Sequence, residues 1–292
     1  MSVALFKNLR HQYHTKLLAE ILGKRPNSDA YSNADSHSEV SKTIAASMVE
    51  RLARNVGVVP CTDPPDGQSA GKIFVDFTKD FLDDAFRRLC HLRPGSWIFS
   101  TSQASVGIGK YYQYEHLSEL TRVIEQHPEL KSALGGDYLV IPDIVVAREP
   151  VTDREINTRE ELLVEGSKDV ACYAPLRRAV NERSILHASI SCKWTIRSDR
   201  AQNTRTEALN LIRNRKGKAP IIVAVTLEPM PTRIASIAMG TGDLDCTYHG
   251  ALPELFEAVR EVKSESQYEV LNTLVNGRRL RDISDLPFDL AT

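Results

Sequence analysis

The sequence lacks any apolar run long enough to span a bilayer. Its N-terminus, MSVALFKNLRHQYHTKLL, has charges and histidines where a signal peptide needs an apolar stretch. No membrane association and a cytoplasmic location are the resulting expectations. Charge of one sign is lacking too: 37 Lys and Arg stand against 38 Asp and Glu, for a formal net charge of −1. That excludes a histone-like binder, whose basic excess would cover its surface. Affinity for a polyanion has to come from local patches, and Arg205, Arg213, Arg215, Lys216 and Lys218 form one such run. Cysteine is sparse and unpatterned. Cys61, Cys90, Cys172, Cys192 and Cys246 are odd in number, make no CxxC pair and have no zinc spacing. Free thiols in a reducing compartment are the simplest reading. Neither a GxGxxG nor a GxxxxGKS loop occurs, which argues against a metabolic α/β enzyme that binds a phosphorylated ligand.

What is present is an ordinary globular composition over 292 residues, 42% hydrophobic and 26% charged. Val40, Ile44, Met48 and Leu52 recur at helical spacing, with Ser36 or Ser38 available as N-cap. Phe74, Phe77, Phe81, Ala85 and Leu89 mark a second amphipathic helix. A third is predicted from Tyr114 to Leu134, ending at Gly135-Gly136. Strand character then takes over at 138–147 (YLVIPDIVVA), 186–196 (LHASISCKWTI) and 220–227 (PIIVAVTL), the last apolar throughout like a buried central strand. A helix is predicted from about Arg200 to Asn214, and the tail from Pro253 to Leu280 reads as helical. The simplest fit is a single α/β domain over 1–292. It has a helical N-terminal portion (about 1–135), a mixed central sheet flanked by helices (about 136–250) and C-terminal helices (about 251–292).

Chemistry concentrates around the alternating strand. Ala188, Ile190, Cys192 and Trp194 fall on one face, and Ser189, Ser191 and Lys193 on the other. Taken alone, this is a half-exposed strand with a solvated lysine. Asp143, in an apolar run after Pro142, is costly to bury without a partner, so it is a metal ligand, a paired charge or a strand-end cap. Glu207 lies fourteen positions after Lys193, on the following helix. An Asp, a Lys and a Glu that converge would form a hard-oxygen site suited to Mg²⁺. Such an ion polarises a phosphodiester and activates water, while the lysine offsets developing charge. The segment Arg197, Ser198, Asp199, Arg200 follows directly. Arg can pair bidentately with guanine and Asp can accept from cytosine N4. In isolation the same four residues read as a polar turn.

The segment LHASISCKWTIRSDRAQNTRTEALNLIRNRKGK resembles the NgoMIV-like type II restriction endonucleases, a branch of the CCGG family within the PD-(D/E)XK superfamily. The likeness extends to SNAD (32–35), GQ (67–68), RPGSW (93–97), ELKSALGGDY (129–138), PDIVV (142–146), SIAMGTG (236–242) and VNGRRLRDISDLPFDL (275–290). It implies a restriction-endonuclease-like core and a Mg²⁺-dependent enzyme cutting double-stranded DNA at palindromic GCCGGC, after the first G. Asp143, Glu207 and the backbone carbonyl of Cys192 would hold metal. Lys193 would be catalytic, and Ser191 would occupy the position the motif's acidic residue has vacated. Arg197, Asp199 and Arg200 would read the central CCGG. Asp35 and Arg233 would read the outer G·C pair, and Gln68 would approach from the minor groove. The resemblance further implies a homo-oligomer, dimer or tetramer, and a cognate DNA methyltransferase. One position departs: Val75 stands where the family has a further glutamate, with Asp76 and Asp80 nearby but out of register on a helix.

Overall fold

In the computed structural model the described residues are 4–26, 28–101, 107–127, 129, 140–240 and 242–292, with backbone only for 198–201. Helices are α1 (Leu5–Glu20), α2 (Glu39–Val56), α3 (Gly67–Arg88), α4 (Glu115–Gln126), α5 (Asp153–Ile156), α6 (Ser198–Asn214), α7 (Pro231–Ala238), α8 (Leu252–Val262), α9 (Glu265–Asn276) and α10 (Leu286–Ala291). Strands are β1 (Trp97–Thr101), β2 (Ile144–Arg148), β3 (Ile185–Lys193), β4 (Ile221–Thr226), β5 (Cys246–His249) and β6 (Leu280–Asp282). They run in sheet order β1-β2-β3-β4-β5-β6. β1 and β2 pair antiparallel, whereas β4, β5 and β6 pair parallel. The fold is therefore α/β with a mixed sheet. No helix among the described residues is long and apolar enough to cross a membrane.

The chain forms two compact units. The first comprises residues 1–92, 190–206 and 222–292, the second residues 93–189 and 207–221. In the first, Asp66 caps α3 by accepting from the Gln68 and Ser69 amides. Ser38 caps α2, and Gly57 ends it in the left-handed region at φ 69°, where a side chain would be strained. Ile44, Met48 and Leu52 are fully buried as their spacing predicts, whereas Val40 is exposed at the first turn. Helix α2 packs on α8, and α1 packs on α3. Arg10 of α1 binds Glu254 at 2.7 Å and Asp282 at 2.9 Å, and both carboxylates are nearly buried. Arg10→Ala leaves two buried anions without their counter-ion, so it should destabilise by roughly 3–5 kcal/mol. Urea unfolding followed by circular dichroism checks this.

In the second unit, the Gln113 side-chain amide brackets the Leu186 peptide, donating to its carbonyl at 2.7 Å and accepting from its N–H at 3.0 Å. The Tyr114 hydroxyl donates to the Leu211 carbonyl at 2.9 Å. These bonds fix the start of β3 and the C-terminal half of α6. Arg177, buried, forms a two-pronged pair with Asp153 and holds that carboxyl down at about 2, with help from the Gly166 N–H. His187 packs edge-on against Trp97, with ring centroids 4.9 Å apart.

Several elements differ from the sequence expectations. β3 is not half-exposed: Ser189 and Ser191 are buried along with Ala188, Ile190 and Cys192. As an inner strand between β2 and β4 it is covered on both faces. The 138–147 run becomes a strand only from Ile144, and 138–139 lie outside the described residues. Helix α4 ends at Gln126, where His127 leaves helical geometry at φ −131°, so it stops short of the predicted Leu134; Gly135-Gly136 lie outside the described residues. The tail is helical to Asn276 but then supplies β6.

Candidate DNA-recognition cleft and catalytic residues

A cleft of about 780 Å³ lies within the first unit. Among the described residues, its walls are lined by Arg25, Arg197, Arg205 and Arg233, with Asp35 as the one carboxylate. Four cations against one anion give a local field that attracts phosphates and acceptor-rich base edges, despite a nearly neutral chain.

Each wall is held by backbone bonds. The Asn33 side chain donates to the Leu227 carbonyl at 3.0 Å, pinning SNAD to the end of β4. Arg25 donates to the Ser32 and Ala34 carbonyls at 2.8 and 3.1 Å. The Asp35 amide donates to Ser41 Oγ at 3.0 Å, and Asp35 Oδ1 accepts from the His37 amide at 3.0 Å. The His37 N–H and then Arg233 hold the Asp35 carboxyl below its ordinary range. Arg233, in the first turn of α7, ion-pairs with Asp35. Arg205 Nη2 donates to the Met239 carbonyl at 2.9 Å. Arg197 stands exposed between β3 and α6.

Three of the sequence-predicted DNA contacts, Asp35, Arg197 and Arg233, thus share one cleft. Gln68, exposed in the first turn of α3, does not line it. The side chains of Asp199 and Arg200 lie outside the described residues. Arg205 of the basic run belongs to the cleft, whereas Arg213, Arg215, Lys216 and Lys218 belong to the second unit.

Among the catalytic candidates, Ser191, Cys192 and Lys193 end β3 in the first unit, and Asp143 and Glu207 belong to the second. Lys193 is half-buried, and its carbonyl accepts from Thr226 Oγ1 at 2.7 Å. Ser191 Oγ is buried with no hydrogen-bond partner among the described residues. Trp194 anchors the strand end edge-on to Phe74, ring centroids 5.5 Å apart. Asp143, one residue before β2, and Glu207, on α6, are both half-buried. No group of three or more His, Cys, Asp or Glu gathers among the described residues. Val75 is half-buried beside Phe74. Asp80 is committed to Lys79 at 2.7 Å and Lys16 at 3.6 Å, which disfavours it as a substitute for the family glutamate; Asp76 is exposed.

The structure adds a residue that sequence reasoning passed over. Glu228, just after β4, is 1% exposed. Its Oε2 accepts from the Ile196 amide at 2.8 Å and its Oε1 from the Met230 amide at 3.1 Å. Burial pushes its carboxyl up to about 7 against those bonds and nearby Arg233. The signal was available: an acid at the end of an apolar strand, the same cost that singled out Asp143.

Residues 13–292 match the family model described as NgoMIV restriction enzyme. The chain belongs to the NgoMIV restriction enzyme family. It is 45% identical over 289 residues to the type II restriction enzyme NgoMIV of Neisseria gonorrhoeae, covering 98% of this chain and 99% of that one. Among solved structures, the type IIF restriction endonuclease Bse634I with cognate DNA aligns over 99% of this chain and 93% of its own, at 10% identity and a TM-score of 0.36. A PspGI–substrate DNA complex aligns over 99% and 92%, at 11% identity and a TM-score of 0.24. As an NgoMIV-family enzyme the chain is a type II restriction endonuclease, a site-specific deoxyribonuclease acting on double-stranded DNA. Enzymes of this kind generally use a divalent metal.

Proposed function

We propose that this NgoMIV-family enzyme uses Mg²⁺ to cut the palindrome GCCGGC after the first G on each strand. The observation that carries the reading is the shared cleft of Asp35, Arg197 and Arg233, three residues the family resemblance assigns to base contacts. Arg233 pairs bidentately with the outer guanine, and Asp35 accepts from the N4 amino group of its cytosine. Their ion pair in the free enzyme orients both before DNA arrives. Arg197, with Asp199 and Arg200, reads the inner pairs, and Gln68 approaches from the minor groove. A two-fold pair of subunits matches the palindrome. Two such pairs make a tetramer, and a cognate methyltransferase protects the host's own sites.

By donor type, the residues assigned to the metal suit a magnesium ion. The Asp143 and Glu207 carboxylates and the Cys192 carbonyl would hold it, and all are hard oxygen donors. The unpartnered buried Ser191 hydroxyl is suited to a water in its shell. When bound, the ion polarises the scissile phosphate and lowers the pKa of a water. Lys193 positions the attacking water and offsets charge on the pentacovalent phosphorus.

A plasmid carrying one GCCGGC and its one-base variant test the reading. Linearisation of the first alone, with Mg²⁺ and not with EDTA, is expected. Equal cutting of both would indicate a structure-specific nuclease, and cutting of neither a binding protein without catalysis.

A further inference from the structure

We propose that Glu228 is a positioning residue that locks together the two base-reading segments of the cleft, and so sets discrimination between the target and near-target sequences. The proposal rests on the reading of that cleft as a base-contacting surface. One oxygen of Glu228 takes the amide of Ile196, the residue before Arg197. The other takes the amide of Met230, the N-cap of α7. The Met230 carbonyl in turn accepts from the Arg233 amide at 2.9 Å. A single carboxylate therefore spans the roots of Arg197 and Arg233.

Glu228's own backbone is fixed from two sides. Its amide donates to Thr226 Oγ1 at 3.1 Å, and that hydroxyl donates to the Lys193 carbonyl. Its carbonyl lies 3.2 Å from His249 Nε2. Burial pushes His249 down to about 4, so it is neutral. His249 Nδ1 accepts from the Ala251 amide, so Nε2 carries the hydrogen and donates to Glu228. The same residue thus ties the recognition segments to the strand end that carries Lys193.

Two N–H donors on two oxygens favour an ionised carboxylate. A neutral carboxyl accepts them more weakly, and a glutamine turns its amino group toward one of the amides. Among the described residues, the charged groups facing Glu228 are Arg233, which favours ionisation, and Asp35, which opposes it; His249 contributes no charge. The folded-state value lies above the ordinary 4.5. The neutral form therefore contributes stability below about 4.5, and that contribution is lost as pH rises through about 7. Holding the ionised form at neutral and higher pH works against stability, as expected of a group retained for function.

The test compares cleavage rates on a GCCGGC duplex and an ACCGGT duplex for the parent enzyme and the Glu228→Gln and Arg233→Ala variants. The proposal expects the cognate-to-variant ratio of kcat/KM to fall at least about tenfold in Glu228→Gln, while affinity for an unrelated duplex holds. In the parent enzyme the ratio should rise from about pH 6 to about pH 8, and in Glu228→Gln it should stay flat. His37 on the cleft wall is common to both, so the difference between them isolates Glu228. A purely structural role would lower both rates together and leave the ratio intact, overturning the proposal. If Arg233→Ala also keeps the ratio, the reading of the cleft fails and the proposal with it. If only Glu228→Gln keeps it, the proposal alone fails. Should Glu228→Gln not fold, the pH profile of a His37→Gln variant decides: a rise through about pH 7 supports the proposal, and a flat profile overturns it.

Discussion

Lys193→Ala should cut DNA at least about 10³-fold more slowly at saturating substrate while binding it specifically. The lysine ends an inner strand, and its main chain is fixed by the Thr226 hydroxyl. Truncating the side chain removes one cation and leaves that main-chain bond in place. The loss should appear in kcat, because the ammonium acts on charge that builds only as the phosphate is attacked. Single-turnover cleavage of a labelled duplex, beside gel-shift titration of the same duplex, separates the two effects. A variant that cuts normally would remove Lys193 from the mechanism.

Arg233→Ala should lose roughly 1–3 kcal/mol of cognate binding per subunit, with little change on unrelated DNA. The side chain is half-buried and held by Asp35. Its removal leaves the Asp35 carboxylate without the cation that orients it, so the cytosine contact weakens along with the lost guanine contact. Discrimination at the outer base pair should relax, and that at the inner pairs should persist. Gel-shift titrations against duplexes varied one position at a time check this. A uniform loss across all sequences would make Arg233 a phosphate contact instead.

Much of the architecture was legible because it follows from periodicity. The α2 stripe of Ile44, Met48 and Leu52 and the apolar run of β4 read directly from residue order. β6 did not, because Leu280–Asp282 is too short for alternation to register. β3 misled for a physical reason: its serines lie under a second layer, and small hydroxyls tolerate that burial where charges do not. Asp143 stood out through the cost of placing charge in an apolar run, whereas Lys193 taken alone read as a solvated lysine. Asp35, Arg197 and Arg233 share no period and no local motif, so resemblance alone linked them, and the fold then brought them to one cleft. Glu228 was legible by the same burial argument as Asp143. What residue order could not supply was the pair of amides that make its charge useful.

The central claim is cleavage by sequence at one palindrome, and the most direct measurement is to sequence every end in a complete digest of unmethylated genomic DNA with Mg²⁺. The account predicts that every 5′ end begins CCGGC and that the strand it was cut from reads G immediately upstream. Ends with no shared motif, or ends clustered at mismatches and junctions, would contradict it.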